Sequence, residues 1–206
     1  MLNIRNLELK DLPVIAKLHM DHMPLTFPKC RYYFNLLKII YSSFLFNKDC
    51  ICHVATIDSN TVGYVCLHRC SRKIYISAFR KCPVAFCCNA MMLLLRSPAH
   101  FLKGVPRVLG TLLLLKLGKQ AKTSDCDLWN EHYELRPIVV RKDKQGSSVA
   151  DRLISCGENS LVNREEKKYF LRVRKDNDRA IAFYIKMGFT IVGDEDIRIL
   201  MVKDVK

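Results

Sequence analysis

Residues 138–154, IVVRKDKQGSSVADRLI, constrain the fold more than any other stretch of this chain. Ile138, Val139 and Val140 stop at the charged run Arg141 to Lys144. The small polar residues Gln145, Gly146, Ser147 and Ser148 follow, and apolar spacing resumes at Ala150, Leu153, Ile154, Gly157 and Leu161. An apolar β-branched run passing through a short loop into helical periodicity predicts a strand, a turn and a helix start. Small side chains at a helix N-terminus leave consecutive amide N–H groups accessible, and such a cradle binds phosphate. The loop carries neither G-x-x-x-x-G-K-[ST] nor G-x-G-x-x-G, which excludes a P-loop and a dinucleotide fingerprint. Gly and Ser are also ordinary in strand-to-helix turns, so the residue types alone leave a purely structural turn open.

The rest of the chain alternates strands with helices. NIRNL reads as a first strand, and Asp11 caps a helix with Pro13 in its first turn. A second helix follows Pro28, with Tyr33, Leu36, Leu37, Ile40 and Phe44 on its apolar face. ICHVATI and TVGYVCL form a hairpin through Asp58, Ser59 and Asn60. Residues 68–131 break this rhythm; from about Ala85 they look helical, with breaks at Pro98 and at Gly104 to Pro106. HYELRPIVV then reads as a strand, Val149 to about Asn163 as a helix, and KYFLRV as a strand. Asn177 caps a helix through Met187, and FTIVGD and IRILMV close the chain as strands. This plan predicts a mixed α/β layer fold in a single domain covering residues 1–206.

Charge is unevenly spread. The net charge is +14, and Ser59 to Ser124 holds eleven Lys and Arg residues with no Asp or Glu. Such a block attracts anions. The ten cysteines form no C-x-x-C pair, and Cys50, Cys52 and His53 fit no common zinc spacing, so no metal is expected. Reduced core thiols in a cytoplasmic protein are the expectation. The N-terminus lacks the layout of a signal peptide, and no run of about 18 apolar residues occurs.

The loop Gln145-Gly146-Ser147-Ser148-Val149-Ala150 resembles the Q/R-x-x-G-x-G/A loop of the GNAT superfamily of acetyl-CoA-dependent N-acetyltransferases, with Ser148 where the family usually has glycine. Residues 177–189, NDRAIAFYIKMGF, are similar to the family's N-x-x-A-x-x-F-Y-x-x-x-G-F segment and agree at every marked position. The two motifs stand in the family's order, separated by a helix and a strand. The resemblance implies a GNAT-like, largely antiparallel central sheet flanked by helices. Residues 68–131 would be a helical basic insertion between the third and fourth core strands.

It also implies acetyl transfer from acetyl-CoA to a primary amine. The pyrophosphate would lie on the amides of Gln145, Gly146, Ser147, Ser148, Val149 and Ala150, and the thioester arm along Ile138, Val139 and Val140. Glu134, eleven residues before Gln145, stands where the histone acetyltransferases among others have a base glutamate; a solvated glutamate at the strand start is the alternative. Tyr184 matches the tyrosine that often protonates the CoA sulfur, and a buried helix-face aromatic is its alternative. Asn177 is a cofactor contact or simply a helix cap. His132 is read as a surface histidine, and Pro137 suits the bulge at which this strand splays in the family. No cysteine stands out as an acyl carrier, which favours direct attack in a ternary complex.

The basic stretch 68–131 has three readings: a helical hairpin over the acceptor cleft, an element on an anionic membrane surface, and a nucleic-acid surface. The last is disfavoured because few aromatics interleave its cations. A small-molecule amine is the expected acceptor, and an anionic one would suit the charge of this stretch. A non-catalytic CoA- or membrane-binding protein of GNAT-like fold is the competing class.

Overall fold

Seven strands make one sheet in the order β1-β2-β3-β4-β5-β7-β6, and six helices accompany them among the described residues. The structure is a computed structural model and describes residues 1–23, 27–69, 71–96, 98 and 132–205. In chain order the elements are β1 (Leu2–Asn6), α1 (Leu12–His22), α2 (Arg31–Phe44), β2 (Cys50–Ile57), β3 (Asn60–His68), α3 (Ser71–Lys81) and α4 (Pro83–Arg96). They continue with β4 (Tyr133–Val140), α5 (Val149–Val162), β5 (Lys168–Arg174), α6 (Asp178–Lys186), β6 (Thr190–Glu195) and β7 (Arg198–Asp204). Every neighbouring pair is antiparallel except β4 and β5, which run parallel. The expected mixed, largely antiparallel α/β architecture is observed.

The chain forms two compact units, one of Met1–Leu7, Lys48–Cys70 and Cys126–Lys206, the other of Glu8–Asn47 and Ser71–Asp125. The first holds the whole sheet with α5 and α6. Alternate strand residues face opposite sides. Val65 and Leu67 of β3, Tyr133 and Leu135 of β4, and Tyr169, Leu171 and Val173 of β5 share one core with Val149, Leu153, Ile154 and Leu161 of α5. Gly157 lets α5 lie close to the sheet, since a Cβ there would stand 2.9 Å from Leu67 Cδ1. Phe170, Leu200 and Val202, the residues between, make a second, small cluster. The β2–β3 hairpin turns through Asp58 (φ 48°) and Ser59 (φ 65°), the left-handed pair that a type I′ turn requires. Past the end of α5, Arg164 donates to the carbonyls of Lys48 and Cys50 and to the Tyr133 hydroxyl, closing the foot of the sheet.

The second unit contains α1 to α4. Asp11 accepts from the Glu8 amide at 2.9 Å ahead of α1, which has Pro13 in its first turn. On α2 the buried stripe is Tyr33, Leu36, Leu37, Tyr41 and Phe44, so Tyr41 takes the position expected of Ile40, which is half-buried. The Tyr41 hydroxyl meets His19 Nδ1 of α1 at 2.7 Å, a partner that Ile40 lacks. Helix α3, SRKIYISAFRK, falls in the stretch 68–131 expected to be helical, although isoleucine and tyrosine alternate in it as in a strand. Its buried pair, Ile74 and Ala78, is spaced by four, and that contact decides for helix. Pro83 opens α4, as proline tolerates a first turn. Both helices lie between β3 and β4 in the chain, where the basic insertion was expected; the break at Gly104 to Pro106 lies outside the described residues.

The cysteines divide. Cys50, Cys52 and Cys66 are buried as expected, whereas Cys82, Cys87 and Cys88 are exposed on or beside α4. Helix α4 is apolar around most of its circumference, so small thiols fall on its open side as well.

Candidate active site

Strands β4 and β5 pair at only two positions, Tyr133 with Tyr169 and Glu134 with Phe170, and then part. On its other side β4 stays paired with β3 as far as Val140. That ladder slips between Val65 and Leu67 of β3, which face Ile138 and Leu135 of β4, so Arg136 and Pro137 form a bulge opposite Cys66. Pro137 cannot donate to a ladder, and a bulge turns the strand beyond it. The result is a fork with Glu134 at its apex. Ile138, Val139 and Val140 lie along the β4 arm, their edge unpaired with β5.

The β4 arm ends in the cradle. A single 3-10 turn, Lys142–Lys144, leads to Gln145, whose side-chain amide donates to the Val140 carbonyl at 3.2 Å. Gly146 takes φ +81°, open to glycine and strained for other residues, and nothing lies within 4 Å of where a Cβ would stand. Ser147 is tied back through its hydroxyl to the Lys144 carbonyl at 2.5 Å. Ser148 is the N-cap of α5 without a side-chain cap bond, and Gln145 to Ser148 are all exposed while Val149 is buried. The first amides of a helix have no intrahelical acceptor, so those of Val149 and Ala150 face outward beside the loop. Among the described residues, the amides of Gly146 and Ser148 donate to no backbone carbonyl. A run of unpaired donors at a helix N-terminus, beside Lys142 and Lys144, fits a pyrophosphate.

The candidate acid and base lie on opposite faces of the sheet. Tyr184 on α6 belongs to the core that contains Tyr133 and Tyr169, stacked edge-on to Phe183 and Phe189 at 5.4 and 5.5 Å. Burial pushes its phenol up to about 12, so it stays protonated at neutral pH. Glu134 faces the other way, on the side of Phe170. It is 5% exposed, which excludes a solvated surface glutamate. Arg172 Nη1 lies 3.4 Å and Arg136 Nη1 3.9 Å from Glu134 Oε1, yet that oxygen accepts no hydrogen bond among the described residues.

This geometry has counterparts among known proteins. Residues 96–189 match the sequence model of the Acetyltransferase (GNAT) family, just under half of the 206 residues. Across 99% of both chains, the structure superposes on the PaiA N-acetyltransferase of Thermoplasma acidophilum in complex with coenzyme A, with TM-score 0.59 and 15% identity. The ribosomal-protein-S18-alanine N-acetyltransferase of Escherichia coli aligns with TM-score 0.57 and 16% identity over 100% of this chain and 94% of that one. The chain is thus similar to GNAT acetyltransferases, in sequence over residues 96–189 and in fold over nearly its whole length. A stretch of 62 residues, 30% of this chain, is 32% identical to the mycothiol acetyltransferase of Corynebacterium efficiens and spans 21% of that protein.

The loop accommodates serine at 148, whose φ of −70° and ψ of 8° suit any residue. Asn177 is occupied locally, its side chain accepting from the Ala180 amide at 3.1 Å as the cap of α6. His132 is half-buried just before β4. Three neighbours of Glu134 escaped the sequence reading. His68 is its register partner on β3, 3% exposed, its pKa lowered to about 4 by burial, with Glu134 raising it and Arg136 lowering it. Arg172 stacks on Phe170 at 4.9 Å and donates through Nε to Glu195 at 2.8 Å; Arg136 stands half-exposed at the bulge. Only one signal in the sequence pointed to Arg172 and Glu134: charged residues at alternate positions of otherwise apolar strands. Among the described residues, no group of three His, Cys, Asp or Glu side chains is placed to hold a metal.

Proposed function

We propose that this protein transfers an acetyl group from acetyl-CoA to a primary amine by direct attack in a ternary complex. The observation that carries the reading is the fork: one strand bears the cradle at its far end and a buried carboxylate at its apex. Acetyl-CoA supplies the activated acyl group. The amides of residues 145–150 hold its phosphates, and the β4 edge at Ile138 to Val140 orients its arm as an added strand would be. Glu134 takes the proton of the attacking amine, directly or through water, using the oxygen that has no hydrogen bond. Tyr184 donates to the sulfur as the thiolate leaves. Asn177 keeps its cofactor role only through the position it gives the first turn of α6.

In this reading residues 1–206 act as one acetyltransferase domain in the cytoplasm, where thiols such as Cys52 and Cys66 stay reduced. The basic stretch 68–131 meets the anionic partner: acceptor first, anionic membrane surface second, nucleic acid least. The groove lined by the exposed cations Lys73, Arg80 and Lys81 supports an anionic partner.

The test is thiol release on mixing the protein, acetyl-CoA and a panel of amines, with products identified by mass spectrometry. Amine-dependent release with an acetylated product supports the reading. CoA binding without release from any amine would make the protein a CoA-binding shell instead.

A further inference from the structure

The cluster around Glu134 carries a statement about the acceptor. Its described charges are two carboxylates, Glu134 and Glu195, and two guanidiniums, Arg136 and Arg172. Arg172 is 16% exposed and held in place, bonded to Glu195 and stacked on Phe170. The Arg136 side chain is 50% exposed and sits 3.9 Å from Glu134 Oε1, too far for a hydrogen bond and close enough for attraction. His68, neutral at ordinary pH because burial lowers it, adds no charge from the β3 side.

An amine arriving as its ammonium takes the contact to Glu134 Oε1 that Arg136 now shares with Arg172. A bare cation adds one positive charge beside two guanidiniums, and like charges repel. An amine that brings its own oxyanion adds no net charge to the cluster. The exchange is one of partners: ammonium to Glu134, oxyanion to the freed Arg136 fork with Arg172 behind it. A guanidinium presents parallel N–H donors that match the two oxygens of a carboxylate or phosphate.

We propose that the acceptor is a small amine with an oxyanion close to its nitrogen, and that Arg136 and Arg172 receive that oxyanion beside Glu134; this rests on the acetyltransferase reading above. The site selects against polycations and against amines without an anionic neighbour.

The experiment uses matched pairs that differ only in the oxyanion. α-Amino acids are set against their α-amides, and phosphoethanolamine against ethanolamine, with kcat/KM read from thiol release and binding to the CoA complex read by calorimetry. The anionic member of at least one pair should be preferred by ten-fold or more. Carboxylate and phosphate arms identify which oxyanion the site takes. Arg136→Gln should cut that preference by about 10- to 100-fold, the range for a charged hydrogen bond, and Arg136→Lys should keep part of it. Equal kcat/KM within every pair, or preference for the neutral members, overturns the proposal while leaving the acetyltransferase reading intact. A preference that survives Arg136→Gln undiminished overturns the assignment of the oxyanion to these arginines. CoA bound but no amine of either kind bound or acetylated counts against both, and it is told apart by the calorimetry.

Discussion

The cradle at residues 145–150 and the cluster around Glu134 are built from different materials. The cradle is exposed backbone: amides at a helix N-terminus, a glycine at φ +81°, and a serine hydroxyl tied into the turn. The cluster is buried side chains: a carboxylate at 5% exposure with two guanidiniums and a neutral histidine about it. Backbone recognition depends on local conformation, which a short stretch of chain specifies by itself. Side-chain recognition depends on strand pairing over long separations, since His68, Glu134 and Arg172 meet only because β3, β4 and β5 are neighbours. Substitutions in the cluster should therefore change rate, and substitutions in the cradle should change CoA affinity.

The largest effect expected is on turnover. Tyr184→Phe and Glu134→Gln should each lower kcat by about 10²–10⁴-fold, the usual range for a positioned acid or base, with CoA affinity nearly unchanged. The Glu134→Gln loss should shrink at high pH, where the amine is already deprotonated. Stopped-flow thiol release with parallel CoA titrations measures both quantities. Wild-type turnover in either variant, where chemistry limits the rate, removes that residue from the mechanism.

A second effect separates the buried region from the exposed one through pH. Burial holds His68 at about 4 against an ordinary 6.5, so the folded state binds fewer protons than the unfolded chain between these values. Stability is then complete above about pH 6.5 and falls as pH drops toward 4, by about 3 kcal/mol in all. His53, lowered first by burial and then by Arg164, adds to the same slope. His68→Gln should flatten the dependence of denaturant midpoint on pH in this window, while a cradle substitution such as Ser147→Ala should leave it unchanged. A slope unaffected by His68→Gln would show that the histidine is not buried in its neutral form.

The smallest effect is on Asn177. Losing the cap bond to the Ala180 amide in Asn177→Ala should cost about 1 kcal/mol, or roughly 2–4 °C in Tm for a chain of this size. CoA affinity should follow only weakly. A large loss of CoA affinity with unchanged Tm would instead make Asn177 a direct contact.

Much of the sheet unit was legible in the sequence. The hairpin, the strand–loop–helix at 138–154 and the capped helix at Asn177 each rest on local signals: turn residues, helical spacing and a cap. A bulge near Pro137 was expected only through the family resemblance, which the proline suits because it cannot donate to a ladder; an ordinary irregular strand read equally well. Helix α3 lies in the stretch 68–131 expected to be helical, but its bounds were not legible, since Ile74, Tyr75 and Ile76 alternate as in a strand and only the burial of Ile74 with Ala78, four apart, marks the helix. Glu134 could be named but not placed: nothing within the strand distinguishes a solvated carboxylate from one buried opposite Arg172. His68 gave no signal at all, because its neighbour lies 66 positions away.

The central claim is that this exposed backbone holds the phosphates of CoA, and calorimetric titration of CoA into wild type, Gly146→Ala and Gly146→Glu tests it most directly. At φ +81° an alanine strains the loop without filling space, since nothing stands within 4 Å. A glutamate adds both bulk and a negative charge facing the phosphates. Affinity should therefore fall modestly in Gly146→Ala and by at least 100-fold in Gly146→Glu, with the loss only partly relieved by salt. Equal CoA affinity in all three proteins would contradict the account.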